Sequence, residues 1–426
     1  MNSSAINHND LYRFPWTLAD NAISWLEPTS ECNLKCDGCY RENVKGAHKS
    51  MDEMKGELDV FQAMRKSDCI SIAGGDPLLY PDVIELVAEI KRRGWKPILN
   101  TNGKALTDDL LKDLKKAGLF GFTFHVDSGQ GRPGKWQGMN EIELNDLRLH
   151  YATMVAQIGG IACSFNATIY QENLQYVPDM IKWAQDHIDI VQTMVFICFR
   201  HIVPDMPFKW MAGDKEVKRG DVLYHSDKNR IITIGSNELV AKAREEVDPD
   251  FLPSAYLNGT ADPAAMKWLM TQRIGSKKRI HGYTGPKFAE LAMSLYHLKT
   301  GRYLSYVSSD SSKHGRRAML LFSFLDPHTR KALGKWFGSL LRNPLRLFER
   351  AYLQTIMFIQ PVDFMANGDQ SMCDGCPDIT VYDGKLVWSC RMEELKDFGT
   401  FLNTVPVAAE EKAAEAGGGD TVSHKI

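Results

Sequence analysis

Cys32, Cys36 and Cys39 lie within eight residues at the spacing C-x3-C-x2-C, close enough for three thiolates to share one metal centre. Zinc sites and most ferredoxin clusters take four protein ligands. A triplet with no fourth cysteine nearby suits an iron-sulfur cluster with one iron left open to a small molecule. Spacing alone also allows three cysteines that merely share a loop, or a zinc finger lacking a ligand. A second group, Cys373, Cys376 and Cys390, brackets the run Thr380-Val-Tyr-Asp-Gly-Lys-Leu-Val-Trp388. Asp-Gly at its centre reads as the tip of a hairpin that would return Cys390 to the C-x2-C pair. That group would hold a second iron-sulfur cluster or a zinc ion. Its fourth ligand would come from Cys198, Cys163, Cys69, a histidine or substrate.

These cysteines need elements to carry them. Residues 22–28 read as a short apolar strand ending just before the first cysteine loop, a common mount for a site in an α/β protein. Strand patterns recur at 69–73, 96–100, 120–126, 161–169 and 190–199. Between them come helix patterns at 81–94, 107–118, around 140–157 and at 172–187. The helix at 107–118 has Asp108 and Asp109 in its first turn and Lys115 and Lys116 in its last, matching the helix dipole. Six repeated βα units form either a partial barrel or an open sheet, with the chemistry at the C-terminal strand ends.

The stretch Glu27-Pro-Thr-Ser-Glu-Cys-Asn-Leu-Lys-Cys-Asp-Gly-Cys-Tyr-Arg41 resembles the cluster loop of the radical S-adenosylmethionine (SAM) superfamily. The resemblance implies a 4Fe-4S cluster on Cys32, Cys36 and Cys39, with SAM chelated by the open iron. The residue before the third cysteine, usually aromatic in that family, is Gly38 here, with Tyr40 just after. Ala73-Gly74-Gly75-Asp76-Pro77 is similar to the family's Gly-Gly-Glu-Pro motif, which implies that Asp76 accepts from the amino group of SAM. Asn100-Thr-Asn102-Gly looks like the polar turn beside the cofactor. Asp127, Ser128 and Asn166 resemble, by position, residues that bind its ribose and carboxylate. The C-terminal cysteine group resembles the auxiliary-cluster (twitch or SPASM-like) domains of some members.

The fold expected is therefore α/β: a partial (β/α)6 TIM-like barrel with a helical insertion and a small C-terminal cysteine-rich β-hairpin domain. Residues 1–20 would be an extension, 21–202 the barrel, 203–360 a mostly helical substrate cap, 361–402 the auxiliary domain and 403–426 a disordered tail. The chain has 426 residues, is 44% hydrophobic and carries a net charge of −2, which suits a globular protein and gives no reason to expect nucleic acid. Its nine cysteines, an odd number, are clustered for metal rather than for disulfides. The first ten residues lack the pattern of a secretory signal, and no apolar run reaches the roughly 18 residues of a membrane span. Cytoplasmic residence is the expectation.

Residues 313–350 interleave nine Lys and Arg with Met319-Leu-Leu-Phe-Ser-Phe-Leu325, Trp336, Phe337 and several leucines. Such a segment suits peripheral contact with an anionic membrane or an amphiphilic substrate, or else a cap packed on the barrel. Three functions follow. The first is reductive SAM cleavage and hydrogen abstraction from a small, hydrophobic or lipid-like substrate, with a reductase such as flavodoxin or ferredoxin supplying the electron. The second is peptide or protein maturation by the same chemistry. The third is a non-catalytic iron-sulfur or zinc protein.

Overall fold

The computed structural model describes residues 6–407. Six parallel strands form its centre: β1 Ile23–Thr29, β2 Cys69–Gly74, β3 Lys96–Thr101, β4 Gly121–His125, β5 Ala162–Ile169 and β6 Thr193–Cys198, each hydrogen-bonded to the next. The helices between them are α1 Met51–Met64, α2 Val83–Arg92, α3 Asp108–Ala117, α4 Asn145–Ile158 and α5 Val177–Asp186.

Alternation along the strands separates two environments. Ile70, Ile72, Leu99, Phe122, Phe124, Phe165 and Phe196 pack with Leu58, Leu86, Val87, Ile90, Leu111 and Leu114 of the helices in one large core. Ser71, Asn100, Thr123, His125, Ser164 and Asn166 turn to the opposite, interior face. Asn100 Nδ2 there donates to Ser71 Oγ on the neighbouring strand at 2.7 Å. At the strands' N-terminal ends, Asp68 accepts from Lys96 Nζ and Ser305 Oγ, both at 2.6 Å, and so fastens the segment after the helix Pro286–Thr300 onto the sheet.

The segment 203–360 differs from the mostly helical cap expected. It contains helices α6 Ser236–Glu246, α7 Pro286–Thr300, α8 Gly315–Phe322 and α9 Pro327–Arg342, but also strands β7 Trp268–Ser276, β8 Arg279–Tyr283 and β9 Tyr352–Ile359. β9 adds to β6 as a seventh parallel strand, β7 pairs with β9 antiparallel, and β8 returns along β7. The N-terminal extension joins the same sheet, with Tyr12–Arg13 pairing parallel to Ala255–Tyr256 beside β7. The C-terminal hairpin is present as β10 Ile379–Tyr382 and β11 Lys385–Trp388. Asp383 and Gly384 at its tip have φ of 48° and 69°, the two positive values a type I′ turn requires. A last helix, α10 Met392–Phe398, follows. Asn403–Pro406, expected to begin a disordered tail, instead pairs antiparallel with Phe208–Ala212. Residues 408–426 of that tail lie outside the described residues.

Candidate functional site

The first cysteine loop leaves the C-terminal end of β1 and is held by backbone contacts to the loop after β2. Gly75 N–H donates to Thr29 O at 2.8 Å, and Asp76 N–H to Glu31 O at 2.7 Å. Both glycines are needed for this approach. A Cβ at Gly74, whose φ is +100°, would stand 2.3 Å from Thr29 O, and one at Gly75 would stand 2.2 Å from Glu31 O. On the other side of the loop Asn43 Oδ1 accepts from Cys32 N–H at 2.9 Å, and Asp37 N–H donates to Gly129 O at 2.7 Å. Burial, then Asp127 and the other two thiols, push the Cys36 thiol well above its ordinary range. Burial, then Asp76 and Cys39, also raise Cys32. Three sulfur donors that hinder one another's ionisation, with no histidine or carboxylate among them, suit a cationic iron-sulfur centre that would stabilise all three thiolates.

The neighbouring strand ends form a polar shelf. The Asp76 carboxylate is buried and accepts from Thr101 Oγ1 at 2.8 Å, Asn102 N–H at 2.8 Å and Leu78 N–H at 3.0 Å. These bonds join the β2 and β3 loops, and Pro77 opens the single turn of Pro77–Leu79 that Asp76 caps. Asn102 Nδ2 donates to Asn33 Oδ1 at 2.8 Å and lies 3.7 Å from Cys32 Sγ. Asp127 sits 2.6 Å from His125 Nε2 and accepts from Gly129 N–H and Thr168 N–H, both at 2.9 Å. Burial opposes its ionisation, yet His125 and these donors hold its carboxyl below the usual range. Asn166, opposite His125 in register, has a buried Oδ1 with no hydrogen-bond partner among the described residues, an acceptor open to a ligand's donor.

The second cysteine group packs beside β1. The neighbouring Cys373 thiol, together with burial, raises Cys376 well above the ordinary thiol range. Burial and the nearby Cys373 push Cys390 up to about 12. The hairpin brings Cys390 within electrostatic reach of Cys373 and Cys376. Gly375 lets the loop press onto the N-terminal extension, since a Cβ there would lie 2.2 Å from Trp16 O. Arg65 Nη2 donates to Cys376 O at 2.9 Å. Cys163 and Cys198 belong to the helix-facing core, whereas Cys69 shares an apolar cluster with Cys373 and Cys376. Among the described residues, no three His, Cys, Asp or Glu side chains converge tightly enough for a single metal ion.

One buried arginine joins the two groups. Arg41, two residues after Cys39, donates to Glu27 on β1, to Glu393 at 3.3 Å and to Ser389 O, next to Cys390.

Residues 26–184 match the model of the radical SAM superfamily. Over that stretch the chain is similar to that superfamily. A tungsten-containing aldehyde ferredoxin oxidoreductase cofactor-modifying protein of Pyrococcus furiosus is 33% identical over 24% of this chain and 30% of its own length. An Fe-coproporphyrin III synthase of Methanosarcina barkeri is 28% identical over 41% of this chain and 42% of its own. A PqqA peptide cyclase of Xanthomonas campestris is 28% identical over 40% of this chain and 46% of its own. The chain thus spans less than half the length of each of these relatives.

The residues singled out from sequence separate into groups. Gly74, Gly75, Asp76, Pro77 and Asn102 gather against the Cys32 side of the loop, and Asn100, Asp127 and Asn166 stand on adjoining strands. Ser128 is exposed, its N–H donating to Glu141 at 2.8 Å. Tyr40 turns away, packing with Ile202, Trp210, Val222, Tyr224 and Leu402 from later segments. Sequence reasoning missed Arg132, whose guanidinium donates to Asn102 O at 2.7 Å and His125 O at 2.9 Å and so ties two strand ends together. It also missed Arg230, which donates to Asp37 at 2.6 Å inside the cysteine loop and lies over the Tyr170 and Phe199 rings. Neither belongs to a recognisable motif, and Arg230 comes from the middle segment, more than 190 residues along the chain from its partner.

Proposed function

We propose that the chain is a radical SAM enzyme with two iron-sulfur centres, one held by Cys32, Cys36 and Cys39 and an auxiliary one by Cys373, Cys376 and Cys390. The observation that carries the reading is the thiol-only triplet on the β1 loop, locked by Gly74 and Gly75 against a polar shelf of strand ends. Cys32, Cys36 and Cys39 would hold a 4Fe-4S cluster, which, with a donor of the flavodoxin or ferredoxin kind, would supply the electron for reductive SAM cleavage and so for hydrogen abstraction from substrate. The chain's own residues do the positioning. The Gly74–Gly75 backbone holds the cysteine loop in place, Asn102 lies beside Cys32, and Asn100 and Asn166 offer polar atoms on the interior face. Asp76, bonded to Thr101, Asn102 and Leu78, shapes this shelf.

For the substrate, the similarity to a PqqA peptide cyclase supports a peptide or protein over a lipid-like molecule. The porphyrin-directed relative makes a tetrapyrrole the second reading. The test is anaerobic reduction of the reconstituted protein with SAM, assayed for 5′-deoxyadenosine. The wild type should form it and Cys36→Ala should not; equal formation by the variant would refute the assignment of the first site.

A further inference from the structure

Eighteen large apolar side chains are exposed on the described chain, and nine of them fall between residues 320 and 348: Leu320, Leu321, Phe324, Leu325, Phe337, Leu341, Leu345, Leu347 and Phe348. Chance scatter of single exposed leucines needs no explanation, but this concentration does. The fold brings these residues to one side of the molecule. Thr329, Ala332, Trp336 and Ser339 form the face that α9 buries, and this helix packs against β8. Phe337 and Leu341 lie a turn apart on the outer side of α9, in line with Arg330. Arg330 donates to Ser323 O at 2.9 Å and Phe324 O at 3.0 Å, which sets the 320–325 turn beside that stripe. Arg316 donates to Leu347 O at 2.7 Å and brings the last turn, Pro344–Phe348, against α8.

The side chains protrude rather than line a groove. Leu321 is 71% exposed, Phe324 82%, Leu341 88% and Phe348 82%. A partner helix is normally received in an apolar groove, whereas separate apolar side chains standing this far out are suited to entering a fluid medium. The charge agrees. Arg317, Arg342 and Arg350 carry no hydrogen bond or ion pair among the described residues, and Arg316, Arg330 and Arg346 bond only to backbone carbonyls. The sole carboxylates on the segment from 313 to 350 are Asp326, buried as the α9 cap, and Glu349.

We propose that the α8–α9 hairpin and the turn after it form a docking face for an anionic lipid bilayer, the leucines and phenylalanines entering the acyl boundary while the arginines meet the headgroups. No helix of the described residues is long and apolar enough to cross a membrane, so the contact is to one leaflet. Docking is a property of this surface and is independent of the chemistry proposed above.

The experiment is cosedimentation of the purified full chain with phosphatidylcholine vesicles with and without phosphatidylglycerol, in low and high salt. The chain should partition onto phosphatidylglycerol vesicles, and salt should weaken that binding. The variant F324E/L341E/F348E should bind at least about tenfold more weakly, with an unchanged circular dichroism spectrum because all three side chains stand in solvent. R317Q/R342Q/R350Q should lose the preference for phosphatidylglycerol. Absence of binding by the wild type, or equal binding by F324E/L341E/F348E, would overturn the proposal. So would a wild-type dimer that F324E/L341E/F348E converts to monomer without affecting sedimentation with vesicles, since the face would then belong to a second copy.

Discussion

A methyl group on Gly75 would meet the Glu31 carbonyl oxygen at 2.2 Å, with backbone on both sides of the clash. Relief requires the cysteine loop to move away from the β2 loop, so Gly75→Ala should cost about 1–3 kcal/mol and reduce the iron retained after reconstitution. Urea denaturation and iron analysis read the two effects; an unchanged midpoint with full iron would show that the joint between the loops is slack. Arg41 poses a different problem, because its buried guanidinium neutralises Glu27 and Glu393 at once. Cutting one side of a buried ion pair leaves charge stranded, so Arg41→Ala should lose about 3–5 kcal/mol. It should also loosen the Ser389 region, exposing the peptide bond after Arg391 to trypsin. Cleavage no faster than in wild type would mean that the hairpin holds its place without this tie.

β8 and α9 pack together, and His281 on β8 is buried with its Nδ1 lacking a partner among the described residues. Burial lowers its pKa from 6.5 to about 4. The unfolded chain therefore binds a proton below pH about 6.5 that the folded chain refuses until about 4, so stability is complete above the upper value and falls through that window. At pH 5 the loss from this residue should be about 2 kcal/mol. Denaturation of wild type and His281→Gln at pH 7 and pH 5 measures it; an equal pH dependence in both would contradict the assignment.

At the same scale, the well-punctuated elements were legible in the sequence. α3 begins after its Thr107 cap and ends at Gly118, whose φ is 96°. The hairpin at Asp383-Gly384 was likewise written in its turn residues. α1 was overlooked although Ser50 and Glu53 form a capping box. The strands β7 and β9 were hidden for a physical reason. Their faces toward α5 carry Arg273 and Gln354, polar residues that bond to each other at 2.8 Å across the pair, and the stretch from β8 through α9 separates the two strands along the chain. The pairing that makes them strands is visible only in space. Asp76 was located by its motif, but its bonding to Thr101 and Asn102 depends on a neighbouring strand that local sequence does not specify.

Over the whole molecule, the chain closes on itself around β1. The N-terminal extension, β1 and the C-terminal cysteine loop meet where Arg13 pairs with Asp374 at 2.6 Å and Asn21 Nδ2 donates to Gly375 O at 3.0 Å. Arg65 and Arg41 then bind that loop and its hairpin to the central sheet. The two cysteine groups are accordingly parts of one framework, and loss of one need not empty the other. This allows the first to be read alone. Cys376→Ala, reconstituted anaerobically, should retain about four irons. After reduction, its electron paramagnetic resonance signal should change when SAM is added, as expected of a cluster whose open iron receives the cofactor. A four-iron signal that is indifferent to SAM would contradict the central claim that Cys32, Cys36 and Cys39 build a SAM-binding site.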